Sequence, residues 1–230
     1  MQYLMWDIDG TLVLTGGAGQ DAMIKTIKDY YFLDAFAFTK SLAGRTDSEI
    51  IKSVVKRLRG RAISAEAASL LIRYHMALAK ELPLHKGRVM KNVEKTLEYF
   101  GRENSGYVNC LLTGNIRDAA KLKLEHYHLY EYFNFDYSVF GETSEKRTEL
   151  AIIALQRFYL RDHSITSHDI IFIGDTPNDV RCANAIGSRC LVVLDGSSSR
   201  REDFSEVKPW QILDALPDDP AELEKMLADS

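Results

Sequence analysis

Tyr3-Leu4-Met5-Trp6-Asp7-Ile8-Asp9-Gly10-Thr11-Leu12 is the stretch on which the fold turns. Tyr3 to Ile8 is a short apolar run that stops at Asp9-Gly10-Thr11. An apolar run bounded by a turn signal suits a strand buried on both faces of a parallel sheet. Side chains on a strand repeat every second residue, so Asp7 and Asp9 can face one pocket where the strand ends. Gly16, Gly17 and Gly19 follow closely and provide a flexible exit.

Downstream, the rhythm is helical from Gln20 to about Leu82. Met23, Ile27 and Tyr31 share one face, Ile50, Val54 and Leu58 another beside Ile51 and Val55, and Leu70, Tyr74 and Leu78 a third. After Pro83 strands and helices alternate. Val89, Val93 and Leu97 mark a helix, Tyr107 to Leu112 a strand, and Arg117 to His126 a helix. A short strand is expected at Tyr137 to Phe140, a helix from Glu149 to Leu160 and a strand at Ile170 to Ile173. A helix from Asn178 to Ile186, a strand at Cys190 to Leu194 and two short helices after Pro209 complete the series. Such alternation predicts an α/β fold with a Rossmann-like, doubly wound parallel sheet. Residues 1 to 15 and 84 to 230 form the expected core, and 16 to 83 an α-helical cap inserted after the first strand. Open sheets of this kind bind ligands at that edge.

The chain has 230 residues, 46% hydrophobic and 27% charged, as in an ordinary globular protein, with a formal net charge of −4. That charge argues against a nucleic-acid or anionic-membrane surface, which would select basic patches. No apolar run approaches the roughly 18 residues needed to span a bilayer. The start of the chain has no basic segment and reaches acids by its seventh residue, so it does not read as a signal peptide. Cys110, Cys182 and Cys190 lie in or beside apolar segments without metal-ligand spacing. Free thiols in such places fit a reduced, cytoplasmic setting.

Four polar motifs fall at expected strand ends: Asp7-Ile8-Asp9-Gly10-Thr11, Thr113-Gly114-Asn115, the basic pair Lys146-Arg147, and Gly174-Asp175-Thr176-Pro177-Asn178-Asp179. In a parallel sheet all four emerge on one edge. A carboxylate there can attack phosphorus, splitting hydrolysis into two easier steps. A second carboxyl group can protonate the leaving oxygen and then activate water. Acids packed together repel one another unless a cation lies between them, and hard oxygen ligands suit Mg²⁺. Asp175 is the natural further ligand, with Asp179 one helical turn on. Thr113 offers a hydroxyl to a phosphate oxygen, and a Lys or Arg supplies positive charge.

Asp7-x-Asp9-Gly10-Thr11-Leu12, Thr113-Gly114-Asn115 and Gly174-Asp175-x-x-x-Asp179 resemble motifs I, II and IV of the haloacid dehalogenase-like hydrolases. The position of the helical block resembles that family's phosphoglycolate phosphatase-like branch. The resemblance implies a Mg²⁺-dependent phosphatase acting on a small phosphorylated metabolite, with neither nucleic acid nor membrane as partner. Asp7 would be the nucleophile and Asp9 the general acid and base, its backbone carbonyl also on the metal. Asp175 would ligate the ion directly and Asp179 support it. Gly10, Thr11, Gly114 and Asn115 would line the phosphate site beside Thr113. Motif III departs from the common Lys-Pro pair: here Lys146 and Arg147 are both candidates. A sugar phosphomutase is the nearest alternative, and a non-catalytic phosphate- or metal-binding module is the alternative from another class. A dehalogenase fits poorly because Asp9 is present.

In the inserted block, Thr46 and Glu49 have capping-box spacing ahead of the Ile50 helix. Arg45 precedes that cap and can reach a substrate anion. The histidines, among them His75, His126 and His128, lack ligand spacing.

Overall fold

The computed structural model describes residues 1–228. Its elements are β1 (Gln2–Trp6), β2 (Val13–Leu14), α1 (Ala18–Tyr31), α2 (Asp47–Arg59), α3 (Ser64–Glu81), β3 (Arg88–Val89), α4 (Val93–Phe100), β4 (Tyr107–Leu111), α5 (Arg117–His126), α6 (Arg147–Arg161), β5 (Ile170–Gly174), α7 (Pro177–Ile186), β6 (Arg189–Val193), β7 (Gln211–Leu213) and α8 (Pro220–Ala228). The sheet is parallel throughout, in the order β4-β1-β5-β6-β7. It is the α/β, Rossmann-like fold expected from the alternation of strands and helices.

Alternation along β1 sends its side chains to two apolar layers. Leu4 and Trp6 pack with Ile171, Ile173 and Leu191 on one face. Tyr3 and Met5 pack with Ile170, Phe172, Cys190 and Val192 on the other. With helices on both faces the strands read as continuous apolar runs, which is why they stand out in the sequence. Register then fixes the site. Trp6 stands opposite Leu111 on one side and Ile173 on the other. The Leu112 N–H donates to the Trp6 carbonyl and the Asp7 N–H to the Ile173 carbonyl, both at 2.9 Å. Asp7 is thereby held where three strands end together.

Helices α1, α2 and α3 build apolar clusters of their own. Ile27, Ile51, Val54, Val55, Ala67 and Leu70 form one. Ala18, Ala22, Met23, Ile50, Tyr74, Leu78 and Leu82 form a second, which also takes in Ile116 and Ala119 beside and on α5. Thr46 caps α2, its hydroxyl accepting the Glu49 N–H at 3.1 Å as the spacing predicts. The Glu49 side chain instead turns to Arg45, so the reciprocal half of the box is not made.

Several expectations need correction. Residues 137–140 form no strand: Val139 meets Leu112 in a single isolated bridge. Val89 belongs to the antiparallel β2–β3 pair, and the helix begins only at Val93. Among the described residues the tail holds one α-helix, α8, and the three-residue edge strand β7, too short to register as a period. Leu58 is on the exposed side of α2, leaving Val54 and Val55 to carry the packing. Ile171 lies fully buried on the central strand β5. Ile171→Ala is expected to cost about 2–5 kcal/mol, read from urea unfolding followed by circular dichroism.

Candidate active site

Beyond β1 and β5, three carboxylates meet. One oxygen from each of Asp7, Asp175 and Asp179 lies within 4.8 Å of the others, and all three residues are buried. Arg147 reaches them from the first turn of α6, its Nη2 at 2.7 Å from Asp7 Oδ2 and 2.5 Å from Asp179 Oδ1. Burial pushes the Asp7 carboxyl up to about 6, an effect that Arg147 only partly offsets. Burial, then the charges of Asp179 and Asp7, holds Asp175 well above the usual carboxylate range. Burial opposes the Arg147 charge, but Asp179 and Asp7 outweigh it and keep the guanidinium protonated.

The donor set fits a hard divalent cation. Three ionised carboxylates against one guanidinium leave two negative charges, which Mg²⁺ would balance, and every donor is oxygen. Asp179 is the most heavily engaged of the three. Its Oδ2 accepts the Asp175 N–H at 3.2 Å, the Thr176 N–H at 2.9 Å and the Thr176 hydroxyl at 2.8 Å, closing the capping box of α7. Its Oδ1 faces Arg147. Asp7 and Asp175 therefore have more coordination capacity left.

Asp9 takes a different direction. The chain turns after Ile8, and Gly10 has φ +86, a conformation that favours glycine. A Cβ at Gly10 would also lie 2.4 Å from Asp175 Oδ2. Asp7 and Asp9 still line one cavity, but the Asp9 carboxyl points to Lys123 and Asn115. Thr113 is fully buried and accepts hydrogen bonds from the Asn115 backbone and side chain, without lining the cavity. Gly114 and Asn115 do line it. The Thr11 hydroxyl donates to Asp175 Oδ1 at 3.3 Å, so its side chain orients a carboxylate. Of the basic pair, Arg147 enters the site. Lys146 is largely exposed and pairs with Glu149 at 3.1 Å.

The cavity encloses about 290 Å³. The helices between residues 18 and 81 supply Met23, Ile50 and Tyr74 to its wall, and the loop before α2 supplies Leu42 and Arg45. Arg45 is held by Glu49 Oε1, 3.0 Å from Nε and 2.9 Å from Nη2. That loop sits directly on the strand ends: the Asp47 N–H donates to the Gly114 carbonyl at 2.8 Å, and Asn178 Nδ2 donates to the Gly44 carbonyl at 2.9 Å. A Cβ at Gly114 would lie 2.1 Å from the Arg45 carbonyl oxygen, so glycine permits the approach.

Sequence reasoning gave no role to two charged cavity residues, Lys123 and Asp47. Lys123 is buried on the stripe of α5 otherwise made by Ala119, Ala120 and Leu124. A lysine in register with an apolar stripe is the signal that would have found it. Asp47 accepts the Ile116 N–H at 2.9 Å. Burial pushes its carboxyl up to about 7, against the pull of Lys123 and that hydrogen bond.

With this geometry in view, the comparisons with known proteins give the family. A profile described as Haloacid dehalogenase-like hydrolase matches residues 4–193. The chain belongs to that family. No curated protein matches the chain. Among solved structures, CbbY from Rhodobacter sphaeroides in complex with phosphate is 17% identical, covers 94% of each chain and has a TM-score of 0.73. A predicted phosphatase from Clostridium acetobutylicum is 18% identical over 100% of this chain and 99% of its own, at a TM-score of 0.67. A predicted phosphoglycolate phosphatase from Haemophilus somnus 129pt is 18% identical over 98% and 97%, at 0.66. At these identities the similarity is one of fold.

The raised carboxyls set a sign for stability. Asp7 favours the folded state when protonated, so its contribution is complete below its unfolded value and is lost as pH rises through about 6. Without metal, Asp7→Asn is therefore expected to melt higher than the parent at pH 8 by a few degrees, on the order of 1 kcal/mol. Binding Mg²⁺ displaces protons from these carboxyls, so the ion is expected to raise the parent's melting temperature more at pH 8 than at pH 5. Thermal melts at both pH values check the two expectations.

Proposed function

We propose that the chain is a Mg²⁺-dependent phosphatase that hydrolyses a small phosphate monoester through an aspartyl-phosphate on Asp7. The observation that carries this reading is the convergence of Asp7, Asp175 and Asp179 around Arg147, beneath a cavity. Asp7 and Asp175, with the Asp9 backbone carbonyl, would hold Mg²⁺, and Asp179 would support it. When bound, the ion screens the charge of the incoming phosphate and of the carboxylates.

Asp7 attacks phosphorus and the ester oxygen leaves. Asp9 gives that oxygen a proton, then takes one from the water that attacks phosphorus and releases phosphate. Arg147 takes the motif III role in place of Lys146: its guanidinium lies beside the attacking carboxylate, where negative charge accumulates. Its Nε–H is buried without a protein partner among the described residues, a donor suited to an anion. Asn115 and the Gly114 backbone border the phosphate, and Thr113 acts by fixing Asn115. Met23, Leu42, Ile50 and Tyr74 give the leaving group apolar surface, and Arg45 reads its polar end.

Residues 1–15 and 84–230 serve as the catalytic core and 16–83 as a cap. The apolar cluster confined to α1–α3, and the short β2–β3 pair at the two chain crossings, support that division. Cap movement about Gly16-Gly17 and Pro83 would admit substrate and then exclude bulk water. The three buried free thiols suit a reduced cytoplasm.

Turnover of p-nitrophenyl phosphate is expected with Mg²⁺ and not with EDTA. Asp7→Asn should lose at least about 10³-fold in kcat while remaining folded. Free phosphate is the expected product. A positional isomer formed from a sugar phosphate, without phosphate release, would make the chain a mutase. Retained activity in Asp7→Asn would end the nucleophile assignment.

A further inference from the structure

Lys123 has no part in the chemistry described so far, yet it is the most deeply buried lysine beside the site. Its side chain is 3% exposed, whereas its partner Asp9 is 45% exposed. The ammonium has three N–H donors and three close acceptors: Asp9 Oδ2 at 2.6 Å, Asp9 Oδ1 at 2.8 Å and Asn115 Oδ1 at 2.6 Å. Asn115 Nδ2 closes the ring by donating to Asp9 Oδ2 at 2.7 Å and to Thr113 Oγ1 at 3.0 Å. Both Asp9 oxygens are therefore held from the α5 side.

Burying an ammonium costs several kcal/mol and is recovered only when its donors are fully met. The surrounding stripe of Ala119, Ala120 and Leu124 asks for nothing polar. A methionine of similar length would fill the same channel without that cost, so packing alone does not explain a lysine. Lys123 is also too fully engaged to grip a substrate. What it does is fix a partly exposed carboxyl group that would otherwise rotate freely in water.

Asp9 lies two residues from Asp7, in a chain that has already left the strand. Without a partner it could swing toward the Asp7–Asp175 cluster or out to solvent. We propose that Lys123 is a positioning residue that, with Asn115, holds the Asp9 carboxyl over the cavity, in line to exchange a proton with the leaving oxygen and then with water. This inference rests on the acid and base role of Asp9.

The test exploits leaving-group basicity. Phenyl phosphate expels a basic phenolate that needs a proton, whereas p-nitrophenyl phosphate expels a weakly basic one that does not. Lys123→Met, assayed with Mg²⁺, is expected to lose about 10²-fold in kcat/KM on phenyl phosphate, because kcat/KM reports the step that expels the leaving group. On p-nitrophenyl phosphate the loss in kcat/KM should stay under about threefold, while kcat falls on both esters because water attack on the aspartyl-phosphate needs the same base. The Asp9→Asn/Lys123→Met double variant should fall no further than Asp9→Asn alone. Because Asp9 is half-exposed, water can replace the lost partner and the variant should fold. Should Lys123→Met fail to fold, Lys123→Gln keeps length and a donor and answers the same question. Equal losses in kcat/KM on the two esters, or none on either, overturn the positioning role if Asp9→Asn itself shows the selective loss. If Asp9→Asn shows no selectivity, the acid and base reading fails instead, and the role of Lys123 with it.

Discussion

Everything at the sheet edge depends on neutralising buried carboxylates. Asp7, Asp175 and Asp179 have been taken out of water by the strands and helices that present them, and Arg147 answers only part of their charge. Desolvation of several ions at once is among the largest unfavourable terms a small protein carries. The fold meets it with a rigid frame. The ladder on both sides of β1 extends to Asp7, α7 starts on a capping box that includes Asp179, and the Thr11 hydroxyl touches Asp175. Carboxyls left above their ordinary range mark a cluster that is not optimised for stability.

The second half of the site is built by a different logic. Asp9 lies outside the strand, and its environment comes from α5 and the loop that precedes it. The same loop receives the segment before α2: Gly114 accepts from the Asp47 N–H and the Ile116 N–H donates to Asp47. The Thr46 hydroxyl donates to the Glu145 carbonyl, and Lys52 pairs with Glu145 at 2.7 Å. The polar groups around Asp9 thus share one stretch of backbone with the seam between the helical insertion and the sheet.

Legibility in the sequence followed the strength of the local pattern. Strands buried on both faces left unmistakable apolar runs, and acids at their ends were visible as interruptions, so the sheet and the Asp7, Asp175, Asp179 set could be read directly. Short pairings left no such trace. The β2–β3 ladder has two residues on each side, β7 has three, and the Leu112–Val139 bridge is a single contact. The choice between Lys146 and Arg147 was legible in principle: Arg147 continues the buried stripe of Leu150, Ala151, Ala154 and Phe158, and Lys146 does not. Spacing of two residues suggested that Asp7 and Asp9 face one pocket, and both line the cavity. The direction of the Asp9 carboxyl, toward Lys123 and Asn115, was not legible, because strand periodicity ends where the strand does.

Asp179 is one carboxylate with two employers. One oxygen starts α7 by accepting three hydrogen bonds, and the other faces the guanidinium that also pairs with Asp7. Helix initiation and the electrostatics of the carboxylate cluster therefore share a single side chain only two bonds wide, and neither can drift without moving the other. Such pleiotropy makes position 179 intolerant even of glutamate, whose extra methylene could satisfy one geometry only by abandoning the other.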